Sequence, residues 1–177
     1  LQTWLTRHVP ALDPAVITVA KFHAGSVVNA IPDSAVLEGV ARSVSEATRR
    51  LVLDGISQVA NGIAAAHGAR AEIARESGGI RATAVTVNDP KEAARVRALS
   101  AALFGPERVI ELEQPVMASE DFSYILQRVP GAMAFLGTQP PGAAKGEPLH
   151  SPRMMLDEAQ LATGAALHAA FALDALR

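Results

Sequence analysis

Hydrophobic and polar positions change their period several times along the chain, and each change marks an element. Residues 1–9 read as the last turns of a helix, stopped by Pro10 and Pro14. Residues 16–23 are rich in β-branched side chains and predict a strand. A turn-rich link follows, Ala24-Gly25-Ser26 and then Asn29-Ala30-Ile31-Pro32-Asp33. Residues 35–44 predict a second strand, in which Leu37, Gly39 and Ala41 alternate against Glu38, Val40 and Arg42. Ser45 is suited to cap a long helix whose Val52, Ile56, Val59, Ile63 and Ala66 step by three and four into one apolar stripe. Gly68 follows His67 as its stop, and residues 69–75 alternate weakly as a third strand. The order α-β-β-α-β is the split β-α-β-β-α-β arrangement lacking its first strand.

Ser77-Gly78-Gly79 reads as the boundary of that unit, so residues 1–77 and 78–177 are expected to form separate parts. Beyond it, Asn88-Asp89-Pro90 opens a helix with proline at its first position, Val96, Leu99 and Leu103 give the helix an apolar face, and Gly105-Pro106 ends it. Residues 108–112 predict a short strand. Ser119 can cap a helix over 120–128, closed by Pro130-Gly131. Residues 132–136 predict another strand, followed by a loop rich in glycine and proline up to Pro148. Asp157-Glu158-Ala159-Gln160 approximates a capping box for a last helix. This second unit reads α-β-α-β-α, a fragment of an α/β sandwich, and the whole chain is of α/β class.

Composition narrows the functions open to such a chain. An apolar fraction of 49% is enough for a packed core. A net charge of −2, with scattered Lys and Arg and only 4% aromatics, leaves neither the basic footprint nor the stacking surface of nucleic-acid binding. The apolar stretch 159–176 carries Gln160, His168 and Asp174 and is too polar for a membrane span. The absence of cysteine excludes disulfides and thiolate ligands within the chain. With no charged-then-apolar leader at its start, this fits a cytoplasmic protein.

His150, in Leu149-His150-Ser151-Pro152, lies at the end of a loop that follows an apolar strand, where α/β proteins place functional groups. A neutral imidazole there can bind Zn or Mn, or it can be a loop histidine in an ordinary hydrogen bond. A catalytic ion takes about three protein ligands, and the five histidines include no His-x-x-x-His or His-x-Asp pair, so this is part of a site. Ser119-Glu120-Asp121 is either a structural cap with first-turn acids or an anion-facing loop. Asn29 alone reads as a turn residue, and His23 as a surface residue ending its strand. Arg42 shares a strand face with Val40 and Val44, which suggests a half-buried guanidinium with a carboxylate partner, structural or on a substrate. His168 reads as a core histidine, and His8 and His67 as solvent-facing.

Five stretches in order, Phe22-His23-Ala24-Gly25, Asn29-Ala30-Ile31-Pro32-Asp33-Ser34, Thr86-Val87-Asn88-Asp89, Val116-Met117-Ala118-Ser119-Glu120-Asp121-Phe122 and Leu149-His150-Ser151-Pro152, resemble the C-terminal half of the aminoacylase-type metallopeptidase family. The resemblance is greatest to the hippurate hydrolase and indole-acetyl-amino-acid hydrolase branch, and Ala118 stands where that branch commonly has glycine. It implies a lid, which also makes a homodimer, for residues 1–77, and the C-terminal part of a zinc-peptidase-like catalytic domain for 78–177. In such enzymes two divalent ions, Mn or Zn, share a bridging water that a glutamate base activates to attack an amide carbonyl.

Carried over, His150 matches the last metal ligand. Asn29 matches a lid residue near the scissile amide, and Arg42 a lid arginine that grips the substrate carboxylate. His23, Ser119, Glu120 and Asp121 belong to stretches expected beside the substrate. The general base and the other ligands are expected upstream of Leu1, so no catalytic residue is assigned here and the chain alone is expected to be inactive. The implied substrate is an N-acyl-amino acid; a carbamoyl-amino acid or dipeptide substrate, or a non-catalytic dimerisation or binding module, remain the alternatives.

Overall fold

The computed structural model describes residues 1–75, 82–143 and 146–177, and the boundary expected at Ser77-Gly78-Gly79 lies outside them. The chain forms two compact units, one of Leu1–Val87 with Glu113–Ile125, the other of Asn88–Leu112 with Leu126–Arg177. The fold is mixed α/β with a small antiparallel sheet.

In the first unit, helix α1 (Gln2–His8) leads into strands β1 (Ala15–Ala24) and β2 (Ala35–Ser43), which pair antiparallel, and then into the long helix α2 (Glu46–Ala66). Strand alternation puts Ile17 opposite Ala41 on the face that meets the helices. There Leu5, Ile17 and Val52 are buried together, with Val9, Ala15 and Ile56 packed around them. The register slips between Val19 and Lys21, which leaves Ala20 as a bulge. Beyond the bulge Phe22 and Leu37 face each other with 70% and 59% of their surface exposed, so the ribbon outruns the core.

The start of α2 is fixed by a cluster of polar groups. Ser45 is the cap: its Oγ accepts from the Thr48 N–H at 3.1 Å and donates to Asp13 Oδ2 at 2.7 Å, and Thr48 Oγ1 donates to the same oxygen. These hydroxyl donors, Thr48 first and then Ser45, hold the Asp13 carboxyl below its usual range. Glu46 follows. Partial burial works to raise its pKa, but the Val85 N–H and the Arg49 guanidinium outweigh burial and lower it. Further along, the six-membered ring of Trp4 comes up against α2 where Gly55 offers no side chain, and a Cβ there would stand 2.0 Å from the ring. Trp4 in turn stacks on His8 with centroids 4.5 Å apart.

In the second unit, α3 (Pro90–Phe104) is capped as expected. Asp89 Oδ1 accepts from the N–H groups of Lys91 and Glu92, Pro90 opens the helix, and Gly105 ends it at φ 96°. A 3-10 turn (Pro106–Arg108) and α5 (Gln160–Ala175) complete this unit, while the short α4 (Ser123–Leu126) lies where the chain passes from the first unit to the second. Arg95 joins α3 to α5, with Nε 3.2 Å from Asp174 Oδ2, Nη1 2.9 Å from Glu92 Oε2, and its guanidinium over the Phe171 ring. Asn88 works like one rung of a ladder: Nδ2 donates to Met133 O at 2.9 Å, and Met133 N donates back to Oδ1 at 2.8 Å. None of the described residues of this unit is fully buried, and Leu161, Leu173 and Leu176 are exposed on and just beyond α5.

Three expected strands do not form. Residues 69–75, 108–112 and 132–136 form no ladder among the described residues, where the one sheet is β1 with β2. At 132–136 the Asn88 side chain is the partner instead. The helix expected from Glu120 shrinks to α4. His168, expected in a core, is exposed, since α5 turns that side outward.

Three outcomes are expected. Gly55→Ala must displace Trp4 and should destabilise the first unit by about 1–3 kcal/mol, read from urea unfolding followed by the single tryptophan. Because the carboxyls of Asp13 and Glu46 are lowered, their stabilisation is complete above the ordinary carboxylate range and is lost as pH falls through their depressed values. The unfolding midpoint should therefore drop below about pH 4, and Asp13→Asn should flatten that drop. Asn88→Asp exchanges a donor for an oxygen facing Met133 O. It should cost about 1 kcal/mol locally and speed exchange of the Met133 amide, and an unchanged rate would refute the rung.

Candidate functional site

The conformation of 113–125 brings several candidate residues to one place within the first unit. Arg42 lies near the end of β2, opposite Val16, and its Nη1 donates to Met117 O at 2.6 Å. That side chain is exposed rather than half-buried, and its partner among the described residues is a carbonyl, not a structural carboxylate. Two residues further on, Ser119 Oγ meets Thr83 Oγ1 at 2.7 Å, and Tyr124 Oη donates to Ala82 O. The hydroxyl of Ser119 is thus taken by Thr83 rather than capping a helix.

Glu120 is half-buried and uses its carbonyl, not its carboxylate, to hold the turn. Its O accepts from Ser123 Oγ at 2.7 Å, and Ser123 is fully buried. Asp121 is exposed and its carbonyl accepts from the Tyr124 N–H. The carboxylates of Glu120 and Asp121 have no hydrogen-bond or ion-pair partner among the described residues, in the loop that Arg42 holds at Met117.

His23 is at the other end of the ribbon, opposite Val36, and exposed. From Val36 to Arg42 along β2 is about 20 Å at the usual strand rise. Alternation places His23 and Arg42 on one face of the ribbon but at opposite ends. Asn29 is exposed in the connection between the strands, beyond Gly25, whose φ of 70° begins the turn. Lys21 and Glu38 pair across the strands at 2.8 Å, and that hydrogen bond, then the attraction of the charges, raises the lysine pKa. An open hollow of about 770 Å³ lined by Phe22, His23, Gly25, Ser34 and Val36 lies at this end.

His150 belongs to the second unit. It occupies the left-handed region at φ 70°, is exposed, and among the described residues neither ring nitrogen has a hydrogen-bond partner. Holding a non-glycine residue there costs of order 1 kcal/mol, although histidine tolerates the region better than most residues. The turn around it is fastened by Glu147, whose carboxylate accepts from Arg153 Nε and Nη2 and from Ser151 Oγ. A free, exposed imidazole is a suitable single donor to a divalent ion. No group of three or more possible ligands occurs among the described residues, so the chain fits such an ion as one donor only.

Sequence reasoning missed Thr83 and Tyr124, which hold the Met117–Asp121 loop, and the pair that brackets His150. For the latter the signal was present: Glu147 and Arg153 stand three residues before and three after His150.

Residues 12–174 match the model of the peptidase family M20/M25/M40. The chain is 32% identical over 167 residues to thermostable carboxypeptidase 2 of Saccharolobus solfataricus, covering 94% of this chain and 41% of that protein. It is 34% identical over 172 residues to the IAA-amino acid hydrolase ILR1-like 4 of Arabidopsis thaliana, covering 97% and 39%. A Bacillus subtilis protein described as a dinuclear metal binding peptidase from the M20 family superposes with a TM-score of 0.71 at 30% identity, over 92% of this chain and 42% of that one. The chain thus spans about two fifths of the length of the relatives it matches. On the extent of these matches, it belongs to the peptidase family M20/M25/M40.

Proposed function

We propose that this chain is the C-terminal portion of a metal-dependent hydrolase that cleaves the amide of N-acyl-amino acids, releasing a carboxylate and a free amino acid. The observation that carries the reading is the match of residues 12–174 to a hydrolase family with a dinuclear metal binding member of the same fold. Two divalent ions, Mn or Zn, when bound, would polarise the amide carbonyl and acidify a water molecule.

The chain's own residues have separate tasks. His150 offers one neutral nitrogen as a ligand. Arg42 grips the carboxylate of the amino-acid half, a role for which a guanidinium fork is suited in both charge and shape. Asn29 and His23, about 20 Å from Arg42 at the far end of the ribbon, are too distant to share one small substrate with it within a single copy and on this reading serve the substrate of a paired copy, while Ser119, Glu120 and Asp121 belong to the loop that Arg42 holds. The ribbon unit is also the proposed surface for pairing of two copies. The remaining ligands and the base lie, on this reading, on polypeptide preceding Leu1, so the 177 residues alone are inactive.

The test compares the isolated chain with the longer polypeptide this reading implies, each supplied with Mn or Zn, on hippurate, a carbamoyl-amino acid and a dipeptide. Turnover is expected only from the longer protein. Arg42→Ala should raise KM about 10–100-fold for acids, from the loss of one charged hydrogen-bonding partner, and little for their amides. Robust turnover by the isolated chain would overturn the division of labour, and preference for another of the three substrates would reassign the acyl group.

A further inference from the structure

We propose that Glu147 and Arg153 are positioning residues that hold the imidazole of His150 in the orientation a metal ion requires. The proposal rests on the reading of His150 as a ligand and adds the device that orients it. Seven residues, 147–153, form a closed loop with His150 near its crown. At the base Arg153 Nε donates to Glu147 Oε1 at 3.3 Å and Nη2 donates to Oε2 at 3.3 Å, a two-pronged contact. Ser151 Oγ donates to the same carboxylate at 3.2 Å and accepts from the Arg153 N–H at 3.2 Å. The backbone adds Ser151 N to Pro148 O and Met154 N to Ser151 O, each 3.1 Å. Every polar side chain in the loop except one is therefore committed, and the uncommitted one is His150.

Two physical points separate this from ordinary surface pairing. First, His150 sits at φ 70°, a region that a free loop populates sparsely. Closure of the loop on both sides of it selects that conformation, and with it the direction of the Cα–Cβ bond. Second, Arg153 and Glu147 have side chains 77% and 37% exposed, and exposed pairs contribute little to global stability. Their loss should not unfold the unit. Its effect should appear in the freedom of the ligand, since groups that orient a metal ligand typically change metal affinity by about 10–100-fold. Arg153 also neutralises Glu147, a carboxylate three residues from the imidazole that would otherwise be free to take the ion in another geometry.

The experiment uses the complete metal-loaded protein that carries this chain, with His150→Ala, Glu147→Gln, Arg153→Met and the exchanged pair Glu147→Arg with Arg153→Glu. Metal affinity is measured by competition with a chromogenic chelator, ions per chain by elemental analysis, and the unfolding temperature on the metal-free form. Glu147→Gln and Arg153→Met should each weaken one ion about 10–100-fold with the metal-free unfolding temperature unchanged, and the exchanged pair should recover most of the loss. Unchanged affinity in both single variants while His150→Ala removes an ion would overturn the positioning role and leave His150 as a ligand. A loss of affinity matched by a lower metal-free unfolding temperature, and not recovered by the exchange, would make the pair merely structural and also overturn it. Full occupancy in His150→Ala would remove the ligand reading itself.

Discussion

The first turn of α2 is the fixed point on which the first unit depends. A helix start leaves several N–H groups without partners, and here Ser45 takes that of Thr48 while groups from elsewhere in the sequence hold the capping side chains in place. Ser45 caps the turn, and Asp13, arriving from the α1–β1 link, accepts from both Ser45 and Thr48. Glu46 reaches outward to the Val85 N–H and is balanced by Arg49. One turn thus sets where β1 begins, where β2 ends one residue after Arg42 and where the segment through Thr83 runs. Thr83 and Arg42 are the two residues that hold the Met117–Ser119 stretch. The candidate substrate loop is positioned by a helix cap two contacts away.

The second unit solves the problem of cohesion differently. Without a fully buried residue it relies on directional contacts: Asp89 at the start of α3, Arg95 between α3 and α5, and Asn88 as a single rung against Met133. Directional bonds define geometry well but shed little apolar surface, and α5 leaves leucines uncovered. The turn bearing His150 is made in the same way, from one carboxylate and one guanidinium.

What was legible in the sequence follows the reach of each interaction. Ser45, Asp89-Pro90 and Gly105 act on backbone within four residues, and the helix ends fall where those residues predict. The two strands of the ribbon were legible because β-branched runs and alternation suit a pair that finds its partner across a ten-residue connection. Residues 69–75, which alternate only weakly, and 108–112 and 132–136 also carry strand character, yet a strand exists only when a second segment supplies its ladder, and no local pattern encodes that. The same limit explains the loop residues. Ser119 had every local qualification as a cap, but a threonine 36 positions away takes its hydroxyl. Arg42 was read as half-buried from its neighbours on β2, whereas its partner is a carbonyl 75 positions on.

The contact between Arg42 and Met117 bears directly on the proposed chemistry. A guanidinium has five N–H donors in one plane, and the carbonyl occupies Nη1. Donors at Nη2 and Nε remain in the fork geometry that meets a carboxylate with two parallel hydrogen bonds. The same side chain can therefore hold the loop and grip an amino-acid carboxylate at once. Glu120 and Asp121 follow Met117 within four residues and add negative charge to this loop, so an anion bound here depends on Arg42. On the proposed function, discrimination for a free carboxylate would then come from a single arginine whose orientation is set by the loop it fastens. A lysine would place a point charge there but could not serve both partners in one plane.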